Sequence, residues 1–269
     1  MLAFAGSDPS GGAGLQADLL TLAAAGCHPA SVVTALTVQD TAGVAGVQAV
    51  DPAWVARQAR SVLADLRVSA FKIGMVGSPE NAAAIADVLA EHPAVPVVLD
   101  PVLASGRGDP LASPAVAAAL VAALVPRATV VTPNSAEARR LALRAGEDPA
   151  ALALEVCGAR LVERGAQFVL VTGTHEPTPE VVNVLYGARG AVRTDRWPRL
   201  PGEYHGSGCT LASAIAAALA NGRTVPDAVR EAQAYTWRTL ERAYRPGAGQ
   251  SIPDRLAAAR AGAQAETGD

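Results

Sequence analysis

An α/β fold, with a mostly parallel sheet between two layers of helices, is what this sequence predicts, on three observations. Short runs rich in Val, Ile and Leu alternate with longer helical patterns from residue 2 to about residue 244. The inner runs, such as residues 95–99 and 167–171, are apolar throughout, as strands covered on both faces are. Glycines, prolines and single polar residues gather where those runs end, at the strand ends where open α/β sheets bind ligands.

Residues 2–5 form a first strand that leads through Gly6-Ser7-Asp8 into a glycine-rich turn ending at Gly14, then a helix to about residue 25. A β-branched run at 30–38 and an alternating run at 44–50 give two more strands, the second part of a small flap. Pro52 opens a helix to about residue 66, and Pro79 opens another after the strand at 70–73. The strand at 95–99 stops at Asp100-Pro101, and a helix covers 114–124. A strand at 129–131 precedes helices at 135–143 and 149–164, and the next strand is 167–171. Residues 181–186 and 191–195 read as an antiparallel pair turned at 187–190. Helices at 207–220 and 225–244 follow, with a short one near Pro253 and a frayed tail from Ala261. No internal repeat or long linker divides the 269 residues, so one domain is expected over 1–269.

Composition narrows the partners. Half the residues are hydrophobic but aromatics are 4%, so the core must be built from Ala, Val and Leu. A net charge of −3 without a basic stripe argues against nucleic acid. No long uncharged apolar run suggests a membrane span, and no secretory signal pattern opens the chain. Cys27, Cys157 and Cys209 have no paired spacing, which fits a reducing compartment; the expected location is the cytoplasm.

The richest stretch is His205-Gly206-Ser207-Gly208-Cys209, which opens into a long small-residue helix. The first N–H groups of a helix lack internal partners and carry partial positive charge, and glycines let a ligand approach them. Such an end suits a phosphate. Cys209 at its mouth is expected to have a lowered thiol pKa and to be able to take a proton. The plain alternative is a glycine turn with a packing cysteine. Gly6 to Gly14 matches neither the dinucleotide fingerprint nor the Walker A loop. Asp18, one turn into the following helix, is expected to face the same mouth, unless it is a surface carboxylate. Gln39 can present both donor and acceptor to a heteroaromatic edge, and Met75 a flexible apolar wall. Lys72, the chain's single lysine, suits either a phosphate or a carboxylate. Asp100 ends an apolar strand and needs a partner, which Mg²⁺ could be. Asn134 and Glu137 have the spacing of a capping box, and Glu137 could also hold Mg²⁺ through water.

Six ordered motifs together resemble the hydroxymethylpyrimidine/phosphomethylpyrimidine kinases of thiamin biosynthesis, a family with the ribokinase-like three-layer αβα fold. They are the opening from Ala5 to Asp18, Thr34 to Thr41, Lys72 to Met75, Leu99 to Val102, Thr132 to Asn134 with Glu137, and His205 to Cys209. The resemblance implies phosphoryl transfer from ATP with Mg²⁺ to 4-amino-5-hydroxymethyl-2-methylpyrimidine, then to its monophosphate. It implies that Ala13, Asp18, Gln39, Met75, Val102 and Cys209 touch the pyrimidine. Asn134 and Glu137 would arrange Mg²⁺ and the triphosphate, while Thr172 and Gly173 lie along the nucleotide. Gly206, Ser207, Gly208 and Cys209 would form the anion hole, with Cys209 as base. The chain departs from the family at Thr172, where many members carry lysine; Arg107 is the candidate substitute. Asp40 stands where an asparagine is usual, and Cys209 where sugar and pyridoxal kinases commonly carry aspartate. A pyridoxal kinase shares fold and mechanism and would be separated by substrate kinetics, and a non-catalytic sensor by the lack of ADP release. A homodimer remains open.

Overall fold

The computed structural model describes residues 1–257. Nine strands form one sheet in the order β3-β2-β1-β4-β5-β6-β7-β8-β9. They are β1 Leu2–Ser7, β2 Ala30–Gln39, β3 Val44–Ala49, β4 Phe71–Ile73, β5 Val97–Leu99, β6 Val130–Val131, β7 Phe168–Thr172, β8 Glu180–Gly187 and β9 Gly190–Pro198. From β2 to β7 every neighbouring pair is parallel; β3 at one edge and β8–β9 at the other run antiparallel. Strand side chains alternate between faces, so Leu2 and Phe4 pack into one core while Ala3 and Ala5 pack into the other.

The first core lies under α2 Pro52–Asp65, α3 Pro79–Ala90, α4 Pro114–Ala119, α5 Ser135–Ala142 and α6 Leu154–Glu163. The second lies under α1 Gly14–Ala24, α7 Ser207–Ala220 and α8 Val225–Glu241. This is the expected three-layer sandwich. Asp51, Ser78, Ser113, Asn134 and Thr224 cap five of these helices with side-chain oxygens. By contrast α1 and α7, which point at the ligand end of the sheet, start without a side-chain cap. Their first N–H groups have no partner within the helix.

Several expected boundaries move. The helix expected over 114–124 is α-helical only to Ala119, then widens into a π turn, Leu120–Leu124, and a 3-10 turn, Val125–Arg127. Pro126 offers no N–H and its ring crowds the carbonyl one turn back. The helix expected over 149–164 is broken: Pro149–Ala151 is a 3-10 turn, and Arg139 Nε takes the Leu152 carbonyl at 3.2 Å before α6 begins. Pro253 to Leu256 lie in coil and turn, Ala257 is helical, and the rest of the short helix expected near Pro253, like the tail expected from Ala261, lies outside the described residues. The flap is the β2–β3 hairpin, whose tip is an Asx turn in which Asp40 Oδ1 accepts from the N–H groups of Ala42 and Gly43.

Candidate active site

A cavity of about 490 Å³ opens along the carboxyl ends of the parallel strands. Its floor comes from β1, β4 and β5: Gly6 to Asp8, Met75 and Asp100. The amino-terminal turn of α7 enters it from one side and the flap residue Gln39 from another.

The chain's single lysine, fully buried, also lines this floor. Lys72 Nζ lies 2.8 Å from Asp18 Oδ1, 2.9 Å from Asp18 Oδ2 and 3.8 Å from Asp100 Oδ2. Ser213 Oγ of α7 donates to Asp18 Oδ1 at 2.8 Å. Burial alone would weaken the ammonium; Asp18 and Asp100 outweigh it and raise the lysine pKa. Asp18 Oδ1 therefore fastens α1 to both β4 and α7.

Asp100 and Glu137 are two further buried carboxylates. Burial pushes Asp100 up to about 6, with Asp18 adding to the rise while Lys72 and a hydrogen bond from Cys209 oppose it. Its Oδ2 is buried without a hydrogen-bond partner among the described residues. Glu137 completes a capping box with Asn134, its Oε2 accepting from Asn134 N at 3.0 Å and its Oε1 from Leu103 N at 3.2 Å. Burial, reinforced by Asp100, pushes Glu137 up to about 8. Two carboxylates penalised by burial and by each other, one with an orphaned oxygen, fit a divalent cation shared with phosphate oxygens. No three His, Cys, Asp or Glu side chains among the described residues are placed to hold a metal ion by themselves, so phosphate would have to complete the coordination.

A second polar cluster joins the flap to the glycine turn. His205 Nε2 lies 2.8 Å from Asp8 Oδ2 and 2.9 Å from Gln39 Nε2. The carboxylate requires that Nε2 carry its proton. A protonated nitrogen cannot also accept from an amide NH₂, so we assign the Gln39 oxygen to this contact, leaving the NH₂ group for a ligand. Asp8 also accepts from Ser10 N, Ser10 Oγ and Ala13 N. Burial pushes its carboxyl up, but these bonds, His205 first, outweigh it and hold Asp8 at about 2. A depressed carboxylate stabilises the fold above its unfolded pKa and loses that contribution as pH falls through the folded value. Relative to Asp8→Asn, the protein should therefore be more stable by about 2 kcal/mol at pH 7. Denaturant melts between pH 5 and pH 2 should show the difference closing across about pH 4 to 2.

A model of the phosphomethylpyrimidine kinase family matches residues 8–254. The chain belongs to that family. The hydroxymethylpyrimidine/phosphomethylpyrimidine kinase of Rhizobium meliloti (strain 1021) is 43% identical over 250 residues, covering 93% of each chain. Its counterpart in Escherichia coli (strain K12) is 37% identical, covering 90% of this chain and 91% of that one. Among solved structures, the phosphomethylpyrimidine kinase of Clostridium difficile 630 is 35% identical with a TM-score of 0.73, covering 87% of this chain and 96% of that one. The Staphylococcus aureus pyridoxal kinase in complex with AMP-PCP and pyridoxal is 28% identical with a TM-score of 0.83, covering 96% and 94%. The chain is thus a kinase of ribokinase-like fold.

Of the residues expected from the sequence and its resemblance to the phosphomethylpyrimidine kinases, Ala13, Gln39, Met75, Val102, Asp100, Asn134, Glu137, Thr172 and Gly206 to Cys209 all line the cavity. Two do not. Asp18 was expected at the mouth but is fully buried and bound to Lys72 and Ser213, because an ammonium inside an apolar strand needs a carboxylate partner. Gly173 lies outside the lining and its N–H is taken by Asn183 Oδ1 at 3.1 Å. The Cys209 thiol also departs from expectation. Burial, with Asp100 and Asp18 nearby, outweighs Lys72 and pushes the thiol up to about 12, so it is protonated at neutral pH. Arg107 is exposed and outside the lining; Arg199 lines the wall, its guanidinium spent on the carbonyls of Thr174, Glu176 and Thr178.

Sequence reasoning gave no role to Asp8 or His205, nor to the stacked rings of Trp197 and Trp237, 6.3 Å apart on the cavity wall. A signal existed for Asp8, since Asp-Pro-Ser-Gly is turn chemistry that aims a carboxylate at its own backbone. His205 spends its Nε2 on Asp8 and Gln39.

Proposed function

We propose that this kinase transfers the γ-phosphoryl group of ATP first to the hydroxymethyl oxygen of 4-amino-5-hydroxymethyl-2-methylpyrimidine and then to the resulting monophosphate. The observation that carries the reading is the uncapped first turn of α7 beside Asp100 in the cavity wall. Phosphoryl transfer asks for positioning and charge neutralisation rather than covalent help. The free N–H groups of Ser207, Gly208 and Cys209 supply hydrogen bonds to the transferring group where its charge is spread over the outer oxygens. Asn134, Thr172 and the Trp197–Trp237 pair offer the triphosphate and purine a polar edge and a flat apolar face. Mg²⁺ bound at Asp100 and Glu137 would neutralise phosphate charge. The Gln39 NH₂ group, fixed by His205, donates to a ring nitrogen, while Met75 and Val102 cover the ring faces.

Cys209 enters as a neutral thiol. The loose transition state leaves the hydroxyl proton in place until the new P–O bond is forming. It then passes to Cys209 Sγ as the thiol proton moves on to Asp100, a relay that never requires a free thiolate. The second transfer starts from a phosphate oxygen that carries no such proton. The full cytoplasmic reading rests on free thiols and on the need for ATP; no helix among the described residues is long and apolar enough to cross a membrane.

The pyridoxal kinase fold likeness keeps one rival in view, and one assay addresses both questions. ADP release is followed with the pyrimidine alcohol, its monophosphate and pyridoxal, in the unmodified enzyme and in Cys209→Ala. The alcohol and monophosphate should turn over well ahead of pyridoxal. Cys209→Ala should lower kcat by about 100-fold with the alcohol and by less than about tenfold with the monophosphate. Equal losses on both acceptors would remove the relay, and pyridoxal as the best acceptor would remove the pyrimidine assignment.

A further inference from the structure

We propose that Arg255, on the segment beyond the last helix, is a positioning residue for phosphoryl transfer: its guanidinium locks the Gly12 and Gly206 turns together and so fixes the shape of the α7 anion hole. The inference rests on reading the first turn of α7 as that hole.

Arg255 is 3% exposed. Its Nε donates to Thr210 Oγ1 at 2.9 Å, and its Nη2 donates to the Gly12 carbonyl at 2.5 Å and to the Gly206 carbonyl at 3.4 Å. Thr210 Oγ1 in turn donates to the Gly206 carbonyl at 2.8 Å, so one fork ties the start of α7 to the turn that starts α1. The two turns touch. Gly206 has a φ of +80°, and a Cβ there would stand 2.0 Å from the Gly12 oxygen and 2.7 Å from Arg255 Nη2. Neither helix has a side-chain cap of its own, so the orientation of the free N–H groups depends on what holds the turns from behind. Arg255 holds both.

Its charge points the same way. The hydrogen-bond partners of the guanidinium among the described residues are neutral oxygens. A buried cation is costly without a nearby anion. Asp18 is one such anion, close enough to favour the charged guanidinium against the cost of burial, and a phosphoryl group at the start of α7 would be a second, so the cation favours occupancy of the hole it shapes. The segment that carries Arg255 is itself anchored. Tyr235 OH donates to the Arg255 carbonyl at 2.8 Å, His205 N donates to Ser251 O at 2.9 Å, and Gln250 N donates to the flap carbonyl of Thr41 at 2.8 Å. A lysine could supply the charge but not the fork that reaches three oxygens at once.

The test measures Arg255→Met and Arg255→Lys beside the unmodified kinase and Gly208→Ala, using ATP and the pyrimidine alcohol. Arg255→Met should lower kcat about 100-fold while KM for the pyrimidine stays within about threefold. Millimolar guanidinium ion should restore part of the lost rate and ammonium ion should not. Arg255→Lys should lose about tenfold in kcat at the same KM. The role is overturned by a kcat within about twofold of the unmodified enzyme, by a rise in KM that matches the fall in kcat, or by a folded Arg255→Met that guanidinium leaves inactive. If Arg255→Met does not fold, Arg255→Lys decides by the same split between kcat and KM. Gly208→Ala separates the two readings. Full activity of that variant removes the hole itself, whereas an inactive Gly208→Ala beside fully active Arg255 variants removes only the role of Arg255.

Discussion

Lys72→Met should be the most damaging single substitution in the protein. The side chain it removes is fully buried and faces two carboxylates, Asp18 and Asp100, whose side chains are 0% and 6% exposed. Removing one partner of a buried ion pair leaves uncompensated charge, at a cost of about 3–5 kcal/mol. For a chain of this size that is a fall in Tm of roughly 10 °C. Asp18 would then lose its reason to hold α1 against α7 through Ser213, and the cavity floor would loosen. Activity should disappear with the stability. Pairing Lys72→Met with Asp18→Asn should recover part of the lost Tm, because the remaining partner no longer has to carry a charge. Thermal melts of the three proteins check both statements; a single variant within about 1 °C of the unmodified protein would show that the pair contributes nothing net.

Gly208→Ala should separate activity from folding. Gly208 is the second residue of α7, and its backbone is ordinary helix. A Cβ there meets nothing closer than Asp100 Oδ1 at 3.8 Å and Oδ2 at 3.9 Å, so the protein accommodates it. Alanine is also the better helix former, by up to about 1 kcal/mol, and Tm should hold or rise. The methyl, however, would stand between the helix N-terminus and Asp100, in the gap the transferring phosphoryl needs. Blocking one such donor site costs about 100- to 1000-fold in kcat. Single-turnover rates and melts on the same preparations decide. An active Gly208→Ala would mean that the phosphoryl group passes elsewhere.

Both expectations concern residues the sequence brought forward, but for different reasons. Gly208 was legible because a glycine-spaced turn before a small-residue helix has one obvious use for its free N–H groups. Lys72 was legible as unusual, an ammonium inside an apolar strand, while its partner was not. Asp18 is 54 residues away and reads equally well as a mouth carboxylate. Cys209 was misjudged for a related reason. The helix N-terminus argument is local and favours the thiolate; burial and the two neighbouring carboxylates are tertiary and outweigh it. Gly173 looked like part of a nucleotide loop until Asn183, on the next strand, claimed its N–H.

What the sequence determined by itself was periodic or local: the order of strands and helices, which runs are covered on both faces, the helix caps, and the clustering of polar residues at strand ends. Those features arise from neighbours within a turn or a pleat, so the chain displays them before it folds. Tertiary structure alone decided which charges meet. Asp18 with Lys72, His205 with Asp8 and Gln39, and Arg255 with Gly12 and Gly206 join residues far apart in the chain. Protonation follows from the same meetings, because the cost of a buried charge depends on what surrounds it in space.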